Sequence, residues 1–402
     1  MVAIKISEPR RPAAPGLAPF ALGFRPFFLL AGLAAVLLIL FWLLIYEGRV
    51  ALPDYYNRSW FGNSWHAHEM LFGYAVAVVA GFLLTAARNW TKQPTISGAP
   101  LMLLALLWLL ARLLPFVAGV PFAVVALVDL LFLPLLALAL FIPVLRAKQW
   151  RNIIFPLLAL VLASANLLFH YALLDLMTGG VRIGLVLGLY VMLLLIVIMG
   201  GRVIPFFVEL GAPGAKTRSW PVVEWLSIAT LVMVALTELF YPDAVAIAAV
   251  AMVAAVVHGV RLAGWCSRAA LRVPLLWVLL SGYGWLVIGF VLLVIAVPLD
   301  LPRSLAWHAF TVGAIGVLTI GMMSRVALGH TGRAMQSHWL MGYAFVLLNL
   351  AALVRVVVVV LWPGHYEQLV LIAGMLWICG FALFVVIYAP ILLRARVDGQ
   401  PG

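Results

Sequence analysis

Apolar runs long enough to cross a bilayer recur along the whole chain, and no other feature constrains the fold as strongly. Twelve can be read: Phe20–Tyr46, Trp65–Ala87, Pro100–Val120, Pro121–Leu145, Ile153–Met177, Val181–Glu209, Trp220–Phe240, Asp243–Ala263, Val273–Val297, Ser304–Leu328, His338–Leu361 and Tyr366–Leu393. A helix needs roughly 20 residues to cross the hydrocarbon layer. That layer holds no water to satisfy backbone amides, so each run is expected to be helical. The predicted fold is all-α: a polytopic membrane protein of about 12 transmembrane helices. One transmembrane domain is expected over 20–393, with an N-terminal arm at 1–19 and a tail at 394–402. Composition agrees: 66% of the 402 residues are hydrophobic and 9% charged, against about 25% charged in soluble domains. The arm's "RRPAAPG" is Pro-rich and carries no signal-peptide cleavage pattern.

The net charge of +12 reflects Lys and Arg placed mostly between the runs, which fits membrane topology and anionic lipid rather than nucleic acid. Alternate gaps are basic: Lys5, Arg10 and Arg11, then Arg88 and Lys92, Arg146 to Arg151, Lys216 and Arg218, Arg261 to Arg272, and Arg333, with Arg394 and Arg396 in the tail. The other gaps hold Arg49, Arg58, Arg182 and Arg303, partly offset by Glu47, Asp54, Asp175, Asp243 and Asp300. Both termini are therefore expected to be cytoplasmic. The third and fourth runs, joined by "FVAGVP", should form a tight hairpin. Cys266 and Cys379 stand far apart, and no C-x-x-C-H is present for covalent haem.

This topology gives each histidine a depth. His66 and His68 open the second run, His308 opens the tenth, and His170 lies about two turns before the outer end of the fifth. These four share roughly 10 Å of depth near the outer leaflet. His365 is in an outer loop nearby, whereas His258, His330 and His338 belong to the inner side. Imidazole suits iron, copper and zinc, and polar side chains in hydrocarbon usually mark a function or a buried partner. His66, His68, His170 and His308 are thus candidate haem and copper ligands. The alternative for each alone is an interfacial histidine bonded to a neighbour. His66 and His68 are two apart on a helix, so they point about 200° apart and suit two centres better than one.

Glu69 is a candidate proton-handling or ligand-orienting carboxylate, or simply a helix-start glutamate. Asp129, with no cation beside it in sequence, is a proton-relay candidate. Arg25, Arg202 and Arg325, near inner ends, could meet haem propionates or snorkel to the interface. The tripeptide "WHA" recurs at Trp65–Ala67 and Trp307–Ala309, at the starts of two runs.

The segments "GFRPFFLLAG", "WHAHEMLFGYAVAVVAGFLLTAARNWT", "NLLFHYAL", "MGGRVIPFF" and "WHAFTVGAIGVLTIGMMSRVALGHTGR" resemble the NnrS family, in order, from about Phe20 to the last run. Members are polytopic bacterial inner-membrane proteins containing haem and copper, associated with nitric oxide metabolism and with resistance to nitrosative stress in denitrifiers and pathogens. The resemblance implies haem, copper and nitric oxide here, but it assigns no ligands.

Three functions then compete. The first is a haem–copper protein acting on nitric oxide, with a nitric oxide reductase-like oxidoreductase activity drawing on an unidentified electron donor. Its histidine set follows the logic of haem–copper oxidases but is smaller, and one non-covalent haem b plus one copper fits the count. The second is a non-catalytic haem sensor or scavenger of nitric oxide. The third is a twelve-helix secondary transporter, whose polar groups would be expected near the midplane.

Overall fold

In the computed structural model the described residues are 16–51 and 62–400. Lys5, Arg10, Arg11, Asp54, Arg58 and Trp60 lie outside them. The described residues are 80% helical. Among the described residues the strand content is one isolated bridge, between Leu17 and Arg394.

Twelve helices are long and apolar enough to cross a membrane: α1 Phe24–Tyr46, α2 Ser64–Thr91, α3 Ala99–Phe116, α4 Phe122–Arg146, α5 Trp150–Leu173, α6 Gly180–Gly211, α7 Pro221–Phe240, α8 Ala244–Trp265, α9 Pro274–Ile295, α10 Ser304–His330, α11 Trp339–Leu361 and α12 Pro363–Leu393. Local chemistry starts several of them. Pro221 and Pro274 occupy first-turn positions where no amide hydrogen is needed. Asp243 caps α8 by accepting from the Ala246 amide at 2.9 Å.

Consecutive helices pack side by side, and α2, α6 and α10 also meet one another at the centre. These three are the most deeply enclosed of the twelve. The remaining helices form three arcs around them: α3–α5 join α2 to α6, α7–α9 join α6 to α10, and α11, α12 and α1 lead back to α2. Arg25 helps close the ring, donating to the carbonyls of Leu392 and Arg394 at the end of α12.

Two central helices change pitch just after their histidines. α2 is α-helical to His68 and π-helical over Glu69–Ala75. α10 is α-helical to His308 and π-helical over Ala309–Gly316. Such insertions are frequent at functional positions. Each follows one copy of the repeated "WHA".

Candidate metal and proton sites on α2 and α10

α2 presents its two histidines to different arcs. His68 turns toward α3–α5 and enters a buried polar cluster. Its Nδ1 faces Glu69 Oε1 at 3.1 Å, and its Nε2 lies 2.9 Å from Asn166 Oδ1 and 3.3 Å from Asp129 Oδ2. The same Asp129 oxygen lies 2.9 Å from His170 Nε2 and accepts from Asn166 Nδ2 at 2.8 Å. Arg112 donates to Asp129 Oδ1, and its Nε lies 3.2 Å from Glu69 Oε2. All six side chains are buried.

Arg112 is the cation that the sequence does not place beside Asp129. Each residue stands eight positions from the Val120–Pro121 junction, so an antiparallel hairpin of α3 and α4 brings them level. The hairpin expected from "FVAGVP" thus positions the ion pair. Gly73, in the π-helical turn, makes room for it: a Cβ there would lie 2.9 Å from Arg112 Nη1 and 3.2 Å from Glu69 Oε2. The Gly73 carbonyl accepts from Trp108 Nε1 at 3.1 Å, which ties the turn to α3.

Counting two carboxylates and one guanidinium, the cluster is one positive charge short of neutral when both imidazoles are neutral. Buried charge needs pairing, so one added cation suits it. His68, Asp129 and His170 each offer a ligand atom, and the three atoms lie within 4.8 Å of one another. Two imidazoles and a carboxylate suit copper, zinc or iron. A proton suits the same place, because both nitrogens of His68 face acceptors, as those of an imidazolium would. Metal and proton would therefore compete. The Nδ1 of His170 is buried without a hydrogen-bond partner among the described residues.

His66 turns the other way. Its ring stacks on Trp42 of α1, with centroids 4.9 Å apart and 18° between planes. Charge on His66 acts on His308, and Arg355 of α11 acts on both. His308 Nδ1 lies 2.6 Å from the Ser304 carbonyl, so it carries the proton and the Nε2 lone pair is the one that could accept or ligate. Arg355 donates Nη2 to Tyr366 at 3.1 Å, while its buried Nη1 has no hydrogen-bond partner among the described residues. Arg355 stands in a π-helical turn, Val354–Val358.

The three arginines put forward from sequence stand at the opposite end of the bundle. Arg25 serves carbonyls of the α12 end, Arg202 donates to Asn152 Oδ1 at 3.1 Å, and Arg325 lies over the Phe207 ring at 3.9 Å. None is brought to the histidines, and Arg355 is the guanidinium that is. His258 is engaged elsewhere, with Tyr283 at 2.7 Å and the Ser227 carbonyl at 3.1 Å.

Sequence reasoning missed Arg112, Asn166 and Arg355. Arg355 stood as a lone cation within "AALVRVVVVVLW", and Asn166 one turn before His170. Those were usable signals.

No curated protein matches the chain. The family model described as NnrS protein matches residues 18–396, nearly its whole length. The chain belongs to the NnrS family.

Proposed function

We propose that this protein is a haem- and copper-containing membrane protein that handles nitric oxide, with haem between His66 and His308 and copper at His68, His170 and Asp129. Family membership and twelve membrane-crossing helices fit a nitric-oxide-linked multi-pass membrane protein. The observation that carries the finer reading is the divergence of His66 and His68 from one helix into two settings, each with a histidine from another helix.

The residues fit both groups. For haem, His308 has its Nδ1 proton fixed, His66 is oriented by Trp42, and the partnerless Nη1 of Arg355 suits a propionate. For copper, two imidazoles and a carboxylate converge. When bound, the haem would carry electrons and the copper would offer the position for small-molecule chemistry. Glu69 orients His68, and Arg112 holds Asp129 in place.

A cavity of about 100 Å³ opens where α2, α6 and α10 meet, and its lining is almost wholly apolar. A neutral diatomic gas would dissolve there. We place the protein in the bacterial inner membrane, with both termini cytoplasmic and the histidines on the outer side, in denitrification or defence against nitrosative stress.

The test is a visible spectrum and metal analysis of the purified protein. We expect a Soret band, with haem extractable by acidified solvent. His66→Ala and His308→Ala should lose haem and keep copper; His68→Ala and His170→Ala should do the reverse. Absence of a Soret band would favour a transporter. Consumption of nitric oxide under a reductant would make the protein an oxidoreductase, and binding without turnover a sensor or scavenger.

A further inference from the structure

Glu238 is a buried acid in the second arc that the sequence does not single out. It stands in the last turn of α7 and is fully enclosed. Its Oε2 accepts from the Tyr190 hydroxyl of α6 at 2.5 Å, and its Oε1 accepts from Trp307 Nε1 of α10 at 2.9 Å. Both donors are uncharged.

The neighbouring cations are occupied with backbone. Arg182 of α6 donates to the carbonyl of Glu238 itself at 2.6 Å, and Arg303, just before α10, donates to the Pro242 carbonyl at 3.0 Å. Asp243, near Arg303, caps α8. Among the described residues no guanidinium, ammonium or imidazole forms an ion pair with the Glu238 carboxylate.

Asp129 shows the contrast. It is locked on Arg112 and has both oxygens engaged by polar neighbours. A carboxylate held in an apolar interior by neutral donors alone has no counter-ion opposing its protonation, and an ionisable group so placed within a membrane helix is a proton-handling candidate. Its donor Trp307 immediately precedes His308 in the chain. Glu238 is thus one hydrogen bond away from the residue beside His308, in low-dielectric surroundings where Coulomb interactions are strong.

We propose that Glu238 exchanges a proton with the aqueous phase in step with the charge at the His66–His308 centre. The coupling rests on the haem reading above. When one electron from a reductant enters that centre, a positive charge is lost there. One proton from water then binds a Glu238 oxygen, forming an O–H bond, and no heavy-atom bond breaks. On oxidation the proton leaves again. Tyr190 and Trp307 position the acid in both states.

Two measurements on the full-length protein test this. Infrared difference spectra between acid and alkaline pH should show a carboxylic-acid carbonyl band that is missing in Glu238→Gln and shifted in Tyr190→Phe. Identical bands in wild type and Glu238→Gln would overturn the proton exchange, with or without haem present. The second measurement is the haem midpoint potential against pH. A one-electron, one-proton couple changes by up to about 59 mV per tenfold change in proton activity. We expect wild type to show such a slope over part of the range. Glu238→Gln should flatten it with the Soret band unchanged, and Glu238→Asp should restore part of it. An unchanged slope in Glu238→Gln would overturn the coupling. A wild-type protein with no Soret band would overturn the haem reading and the coupling together, while the infrared result would still decide the proton exchange.

Discussion

Around His68, six side chains from four helices answer one another's charges and hydrogen bonds. Around His66, four helices bring together two imidazoles, a tryptophan face and a guanidinium, and one nitrogen of that guanidinium still lacks an acceptor. The first setting is largely complete on its own terms, and with both imidazoles neutral its charge leaves room for one further cation. The second is less fully hydrogen-bonded among the described residues. Both begin on the same helix, two residues apart. Polar groups inside a membrane can thus serve cohesion and ligand binding side by side, and the degree of mutual satisfaction tells them apart.

The largest test of this contrast is Asp129→Ala. Removing one partner of a buried ion pair strands the other, at a cost of about 3–5 kcal/mol. Arg112 would lose its Asp129 partner, and His68 and His170 would each lose their contact with that carboxylate. We expect a large fall in the thermal unfolding midpoint of detergent-purified protein. A midpoint close to wild type would show that the cluster is not cohesive.

Gly73→Ala should rank next. The added methyl meets Arg112 and Glu69 at contact distances too short to keep, and overpacking of this kind costs about 1–3 kcal/mol. We expect a smaller loss of thermal stability than for Asp129→Ala, together with a weaker hold on copper. An unaltered midpoint would mean that the π-helical turn has slack.

The smallest effect on the bundle should come from Arg355→Met. This residue is only half enclosed, so its loss should change the stability of the haem-free protein by about 0.5 kcal/mol or less. The same variant should release haem faster in a transfer assay to apomyoglobin. Unfolding comparable to Asp129→Ala would erase the distinction between the two settings.

Much of the architecture was legible in the sequence. All twelve runs became helices, with ends close to those expected; the second ends at Thr91 rather than Ala87, for example. Hydropathy reports this directly, because the bilayer imposes length and apolarity. The four histidines were also grouped at one end of the bundle, since depth follows from rise per residue. Their division into pairs was only half legible. The angle between His66 and His68 is fixed by helix geometry, but which helix each would face depends on packing order. No periodicity records that α10 lies beside α2, or that α5 faces the other flank. Glu238 was hidden for the same reason, since its donors come from α6 and α10. Arg112 was within reach, because the hairpin mirrors it onto Asp129. The π-helical turns left no clear mark in an apolar pattern that suits either pitch.

The layout of the arcs also sets an order in time. Every member of the His68 cluster lies on α2 to α5, so that setting can close while the rest of the chain is still being synthesised and inserted. The His66 setting cannot, because His308 and Arg355 emerge much later. His66 must therefore wait beside Trp42 through the making of nine further helices, α3 to α11. On the haem reading proposed above, a cell short of haem would then accumulate protein whose first arc is already finished and whose last arc is not. Quality control that surveys nascent membrane proteins would meet the defect on the face between α10 and α2.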